Sequence, residues 1–201
     1  MVLVRAIASD AADAARLLVT SPALAQARVE IGATRQEATT YYFDEIQHYV
    51  YGGDTALHVA AAGYRLELVR QLIALGADVH ARNRRGAEPI HYAVDGTPGS
   101  HAWNPDAQAA TVACLIAAGA DPNAVDRSGV APLHRAVRTR CAAAVKALLD
   151  GGADARGKNK NGSTPMLLAT QNTGRGGSGS PAAKAQQEQI VRLLLHPPAR
   201  Q

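Results

Sequence analysis

Seven histidines and two cysteines are the side chains of this chain best able to bind a metal ion or transfer a proton. Cys114 and Cys141 match no metal-ligand spacing and make no disulfide framework, so we expect reduced thiols in or near a core. Only His48 and His101 lie in segments outside the repeated part of the chain, and no spacing with a carboxylate links either of them into a metal motif. The sequence therefore predicts no metal, no cofactor and no catalytic residue, and it favours a non-catalytic protein.

A glycine-rich segment, GRGGSGS at residues 174–180, has the composition of a phosphate-binding loop. It follows no predicted strand and lacks the Gly-Lys-Ser/Thr ending with which such loops hold phosphate. We therefore predict that this segment is a flexible linker.

Aromatic side chains are concentrated in one segment, TTYYFDEIQHYVYGG at residues 39–53, which holds five of the eight in the chain. They are Tyr41, Tyr42, Phe43, Tyr49 and Tyr51. The letters TTYYF and IQHYVY favour strands, so one interpretation is a hairpin with its tip at Asp44 and Glu45. The tip has neither Gly nor Asn, which tight hairpin turns prefer, so a short helix FDEIQHYV is the alternative.

Strand alternation would give this segment an apolar face and a tyrosine-rich face. The first face carries Tyr41, Phe43, Ile46, His48 and Val50, and the second carries Thr40, Tyr42, Gln47 and Tyr49. The rings either shield an interface of the fold or anchor a partner, since tyrosine offers a large rigid area with a polar tip. A shield needs only apolar rings, whereas four of these five carry hydroxyls, so we favour anchors.

The composition and charge of the chain exclude several classes of protein. Only 4% of the 201 residues are aromatic, and the abundant alanine suits closely packed helices. The net charge of +4 is too small to indicate nucleic-acid binding. The start, MVLVRAIASDAADAARLLV, is interrupted by Asp10 and Asp13, which predicts neither a signal peptide nor a membrane span. We expect a monomeric, cytoplasmic protein.

A repeat of 33 residues must position these side chains. Segments that begin at Asp54, Ala87, Val130 and Ser163 align, and their starts are separated by 33, 43 and 33 residues. The apolar spacing within each segment predicts two short helices, and a glycine in LGAD, AGAD or GGAD ends the second one. A period of this size is typical of stacked helical units, none of which buries its apolar face alone.

The tetrapeptides TALH, EPIH, APLH and TPML, together with GADxxA and the closing glycine, resemble the ankyrin repeat. The resemblance implies an all-α solenoid, and we count five helix-turn-helix units at about residues 1–27 (a cap), 54–86, 87–129, 130–162 and 163–196. It also implies that the tetrapeptide histidines, His58, His91 and His134, hydrogen-bond between neighbouring turns. Binding of a protein or peptide in a concave trough is the function that such a fold implies.

Three insertions remain outside the repeats, at about residues 28–53, 95–108 and 171–186. The first is an extended finger after the cap, and the other two join the helices of the third and fifth units. Because fingers line one edge of the trough and helix–helix turns line the other, we expect the insertions to wall it from both sides. Basic residues follow one another along successive finger tips: Arg82, Arg84, Arg85, Arg156, Lys158 and Lys160. They indicate a solvated edge or a docking strip for an acidic partner, and they lack the interleaved aromatic residues that nucleic acid would require.

The function predicted from the sequence is non-catalytic recognition of a protein or peptide in this trough. Its candidate partner-binding residues are Tyr41, Tyr42, Tyr49, Tyr51, His48, His101 and Trp103. The alternative is a small-molecule-binding protein or an enzyme, with Tyr42, Tyr49, His48, Asp44, His101 and Trp103 around a pocket closed by the insertions. A closed apolar cavity with convergent polar groups would favour the alternative, and an open trough would favour a polymeric partner.

Overall fold

A computed structural model describes residues 1–9, 11–171 and 180–197, and in these residues ten α-helices follow one another in five pairs. The first helices of the pairs are α1 (Val2–Ser9), α3 (Ala56–Ala62), α5 (Pro89–Ala93), α7 (Pro132–Arg138) and α9 (Pro165–Thr170). The second helices are α2 (Ala11–Thr20), α4 (Leu66–Ala74), α6 (Pro105–Ala117), α8 (Ala142–Asp150) and α10 (Pro181–Leu195). No helix in these residues is long and apolar enough to cross a membrane. The boundaries given above for the units and insertions stay predictions.

The helices form two layers with the core between them. Each first helix packs against the first helix of the next pair, and each second helix packs against the second helix of the next pair. The fully buried side chains between the layers include Leu57, Leu72, Ile90, Leu115, Leu133 and Leu148. Each pair therefore depends on its neighbours for burial, as in other stacked repeats. The predicted all-α solenoid is confirmed.

The tetrapeptide histidines join each pair to the next. Nδ1 of His58, His91 and His134 accepts a backbone N–H three residues earlier, at 3.1, 3.1 and 3.3 Å. Nε2 of each ring donates to a carbonyl that precedes the following pair, on Ala87 (3.1 Å), Val130 (3.2 Å) and Ser163 (3.1 Å). One nitrogen accepts while the other donates, so each ring is neutral in this arrangement. Burial lowers the pKa of all three rings, and that of His91 falls to about 4.

Two second helices begin earlier than the alignment of the repeats predicts. α6 begins at Pro105 and α10 begins at Pro181, so the last residues of the second and third predicted insertions are helical. The preceding side chain in each case, Asn104 or Ser180, accepts a backbone N–H three residues later, at 3.0 and 3.1 Å. A capping side chain followed by proline starts a helix, so Ser180 is a cap rather than part of a linker. Residues 174–179 of the predicted linker lie outside the described residues.

The first insertion contains a two-stranded hairpin instead of a short helix. β1 (Tyr42–Phe43) pairs antiparallel with β2 (His48–Tyr49), with Tyr42 opposite Tyr49 and Phe43 opposite His48. A 3-10 turn (Asp44–Ile46) followed by Gln47 in the left-handed region (φ 48°) replaces the predicted two-residue tip. The longer connection is needed because the segment lacks the Gly or Asn of a tight turn. The register is shifted by two residues from the predicted pairing, which keeps the same side chains on each face.

Candidate functional site

The hairpin, residues 42–49, packs against the first helices of the first three pairs. The 3-10 turn of the hairpin contacts α1. A Cβ atom on Gly63, at the end of α3, would lie only 2.7 Å from an Ile46 methyl group, so Ile46 packs closely on this helix end because no side chain is present there. The His48 ring stacks on the Tyr92 ring of α5 with 4.2 Å between centroids. The apolar underside of the hairpin therefore covers parts of the first three pairs.

A buried carboxylate, Asp54, holds the chain where it leaves the hairpin. Its Oδ2 accepts the Tyr51 N–H at 2.6 Å and the Tyr92 hydroxyl at 2.8 Å, and its Oδ1 accepts the Asn83 side-chain amide at 2.8 Å. These three donors compensate for the removal of the charge from water. Burial, together with the nearby Asp54 carboxylate, raises the pKa of the Tyr92 hydroxyl well above its ordinary value. The exit of the hairpin is thus tied to the third helix pair.

A second carboxylate, Asp95, holds the other end of the hairpin. Its Oδ2 lies 3.1 Å from His48 Nε2 and 3.0 Å from Arg135 Nη1 of α7. Burial acts to raise the pKa of Asp95, but the Arg135 guanidinium and the His48 ring outweigh it and hold that pKa below its ordinary value. The other nitrogen of the His48 ring, Nδ1, faces the Tyr49 carbonyl at 2.7 Å. Both ring nitrogens therefore face oxygen atoms, Asp95 Oδ2 on one side and the Tyr49 carbonyl on the other.

Residues of the hairpin and of the loop between α5 and α6 line one partly open cavity of about 320 Å³. Trp103 of that loop forms part of the wall, and its Nε1–H donates to Gln108 Oε1 at 3.1 Å. Gln108 in turn donates to the Tyr64 hydroxyl at 3.3 Å, and this hydroxyl donates to the Asp95 carbonyl. The loop is therefore held by side chains of its own pair and of the pair before it.

The structure brings together some of the predicted site residues and separates others. His48, Tyr49, Tyr51 and Trp103 line the cavity. Tyr42 stands beside Tyr49 on the outer face of the hairpin, with ring centroids 4.8 Å apart. Tyr41 is half-buried and His101 is exposed, and neither belongs to the cavity wall. Asp44, a candidate of the small-molecule alternative, is exposed in the turn.

The polar side chains that α5 and α7 contribute to the cavity were not among the predicted site residues. Tyr92 and Arg135 occupy the position after the tetrapeptide histidine, where the second unit has Val59. Asp95 and Arg138 also occupy equivalent positions in successive units. A change from an apolar residue to a ring or a charge at one repeat position was the available signal, and it required comparison of the units position by position.

Basic finger tips contact the segments that flank the hairpin in the sequence. The Arg84 guanidinium donates to the Ala33 carbonyl. Arg85 Nη1 donates to the Tyr51 hydroxyl at 2.9 Å, and its guanidinium lies 4.9 Å from the centre of the Tyr51 ring. These two arginines of the predicted strip therefore have contacts within the fold. A role of the whole strip in docking an acidic partner stays a prediction.

Comparison with known families adds an independent finding. The model described as "Ankyrin repeats (3 copies)" matches residues 100–200, and the model described as "Ankyrin repeat" matches residues 52–84. No curated protein matches the chain. The hairpin lies outside both matched ranges, and so does Asp95. The cavity is thus lined both by residues inside the matched ranges, such as Trp103 and Arg135, and by residues outside them.

Proposed function

The chain belongs to the ankyrin repeat family, whose repeats generally mediate protein–protein interactions, and we propose that it binds a peptide segment of a protein partner in the trough. The segment would lie against the outer face of the hairpin and extend over the cavity beside it. The observation that carries this proposal is the exposed tyrosine pair. Tyr42 and Tyr49 are 39% and 37% exposed, although both are large rings in contact with each other.

Shielding of the fold accounts for the underside of the hairpin and not for this pair. Phe43, Ile46 and Val50 are 8%, 6% and 0% exposed, so the apolar face is already covered by the helices. The tyrosine pair faces away from that contact. Rigid rings with polar tips are typical of the few residues that dominate binding energy at protein interfaces. A tyrosine pair held by strand pairing would offer such a surface with little loss of conformational entropy on binding.

The cavity also supports the alternative, a site for a small polar molecule. A volume of about 320 Å³ lies at the lower end of the roughly 300–1,000 Å³ that small-molecule sites occupy. Its walls are polar and it is open on one side, whereas the alternative was expected to show a closed apolar cavity. These features favour a subsite that takes one side chain of a bound peptide.

The proposal is tested by selecting ligands from a phage-displayed library of random dodecapeptides and titrating one selected peptide by calorimetry. We expect Tyr42→Ala combined with Tyr49→Ala to weaken binding by ~2 kcal/mol or more, because the pair supplies the contact surface. The melting temperature should change little, since both rings are exposed. The matched control is Val19→Ala on α2, an apolar side chain that is 75% exposed away from the hairpin and should leave binding unchanged. Unchanged binding by the tyrosine variant, with a loss of stability instead, would show that the rings are structural.

A further inference from the structure

We infer that the outer face of the hairpin binds an arginine side chain of the partner peptide, with its guanidinium group on the Tyr42 ring and beside the Asp44 carboxylate. This inference rests on the proposed function and adds the chemistry of the ligand. The first observation is the exposure of the ring pair. Tyr42 and Tyr49 are 39% and 37% exposed, and their ring planes are inclined by 55°. The rings are not stacked on each other, so each keeps part of its face open to a ligand.

Two other rings of the same segment already have an arginine of the fold over them. The Arg5 guanidinium lies 5.8 Å from the centre of the Phe43 ring, and the Arg85 guanidinium lies 4.9 Å from the centre of the Tyr51 ring. The face of an aromatic ring carries partial negative charge and attracts such cations. Among the described residues, no arginine or lysine lies over the outer ring pair. A partner can therefore supply the cation that the fold does not.

Negative charge accompanies the open rings. Residues 39–53 contain two carboxylates, Asp44 and Glu45, and no lysine or arginine. Both carboxylates are exposed in the turn of the hairpin, and neither has an ion pair within 4 Å in the described part of the chain. Partial burial, the Asp44 carboxylate and the Tyr49 hydroxyl together raise the pKa of Tyr42. The Asp44 charge therefore acts at the Tyr42 ring, where it would attract a cation.

Two arginines of the helices lie near the underside of the hairpin and do not occupy this site. Arg5 lies over Phe43, a ring that is only 8% exposed. Arg65 lies beside the end of α3 and donates from Nη2 to the Ala8 carbonyl at 3.2 Å. Neither guanidinium group is within 4 Å of a turn carboxylate in the residues that the structure describes. The carboxylates thus stay available to a ligand on the outer face.

The cations at the other end of the ring row determine where the ligand binds. Arg84 and Arg85 lie over Tyr51, whose ring centre is 6.4 Å from that of Tyr49. They would repel a further guanidinium on that side. Tyr42 is at the opposite end of the row, next to a turn carboxylate. A guanidinium group is planar, so it can lie on this ring while its N–H groups donate to the carboxylate, which the ammonium of lysine cannot do.

The test uses fluorescent hexapeptide libraries in which one central residue is fixed as Arg, citrulline, Lys or Glu and the other positions are random. Citrulline has nearly the shape of arginine but no charge. Fluorescence anisotropy on the full chain should show about fivefold tighter binding of the Arg library than of the citrulline library, the size expected for an exposed cation–π contact together with an exposed ion pair. The Lys library should bind less tightly than the Arg library, because an ammonium lacks the planar face.

Variants of the outer face separate the effect of the ring from that of the charge. Tyr42→Leu keeps an apolar side chain without the ring and should reduce the preference for Arg over citrulline to about twofold or less. Tyr42→Phe should keep most of the preference, because the ring face remains. Asp44→Asn should reduce the preference by about half, the share of an exposed ion pair. The matched control, Glu67→Gln on α4, removes a carboxylate that is 81% exposed and should leave the preference intact.

Each failure of this test has its own meaning. Binding of the Arg and citrulline libraries with equal affinity would overturn the arginine contact while peptide recognition stands. Binding of the Lys library as tightly as the Arg library, or tighter binding of the Glu library, would overturn the assignment to arginine. No binding by any library would overturn both the contact and the proposed function. If Tyr42→Leu does not fold, as judged by circular dichroism, Asp44→Asn replaces it and must lower the Arg preference.

Discussion

The junctions of the helical stack repeat one contact, whereas each contact of the hairpin occurs once. Three histidines in the stack accept a backbone N–H with Nδ1 and donate to the next pair with Nε2. The hairpin depends instead on individual groups: the Asp54 carboxylate at its exit, and the Asp95 carboxylate with His48 at its other end. The histidines of the stack are buried and neutral. In the hairpin, by contrast, His48 Nε2 lies 3.1 Å from Asp95 Oδ2, and the Asp95 side chain is 25% exposed.

This difference suggests that the stack provides the stability of the protein and that the hairpin provides features that the repeats do not share. Stacked units lose stability when any buried junction is changed, because each depends on its neighbours. The hairpin adds a small apolar contact on one side and a tyrosine pair on the other. A change to its underside should therefore affect stability, and a change to its outer face should affect binding.

The largest effect is expected in the core of the stack. Leu133 of α7 is 1% exposed, and Leu133→Ala should lower the free energy of unfolding by ~2–5 kcal/mol, the usual cost of truncating a core leucine. The matched control is Leu167→Ala on α9, whose side chain is 45% exposed and which should cost less than about 0.5 kcal/mol. Denaturant melts measure both variants. A loss below about 1 kcal/mol for Leu133→Ala would contradict its place in the core.

The next effect is a loss of stability in mild acid through the buried histidines. The pKa of His91 is about 4 in the fold, against 6.5 for the ring in water. Between these values the unfolded chain binds a proton that the folded chain does not, so stability falls as the pH drops from about 6.5 to about 4. The loss from this ring should be on the order of 3 kcal/mol and should level off below its folded pKa. Urea melts across this range measure the slope, and His91→Gln should make the slope smaller. An unchanged slope in that variant would show that His91 is not the titrating group.

A smaller effect is expected on the underside of the hairpin. Phe43→Ala should lower the free energy of unfolding by roughly 2–3 kcal/mol, less than for a ring in the centre of a core, because the hairpin lies at the edge of the fold. Tyr42→Ala, its neighbour on the opposite face, should cost less than about 0.5 kcal/mol. Equal losses in the two variants, measured in the same denaturant series, would remove the distinction between the two faces.

The regular part of the fold was predictable because its sequence signals are local and repeated. The tetrapeptides, the apolar spacing and the closing glycines each occur several times, so their agreement predicts stacked helix pairs without any knowledge of tertiary contacts. The early starts of α6 and α10 also had a local signal, Asn104-Pro105 and Ser180-Pro181. Alignment of the repeats concealed this signal because the helices of the other units begin later in the repeat.

The cavity was not predicted because its residues are distant in the sequence, and only a comparison of the units position by position points to some of them. His48 of the hairpin, Asp95 after α5 and Arg135 of α7 meet only once the stack is formed. Arg140 gives a second example, as a fully buried guanidinium that donates to the Ala169 carbonyl at 3.0 Å. A charged residue in a repeat is normally expected at the surface. Such contacts follow from the packing of neighbouring helix pairs. The periodicity of a single sequence does not predict them.

The most direct test of recognition in the trough is site-specific photo-cross-linking of a selected peptide. The photoreactive residue p-benzoylphenylalanine replaces Tyr49 in one variant and Val19 in another, two exposed positions on opposite layers. Our account predicts a cross-link to the peptide from position 49 and none from position 19, with the site of attachment identified by mass spectrometry. Cross-linking from position 19 without any from position 49 would contradict the proposal that the partner binds in the trough against the hairpin.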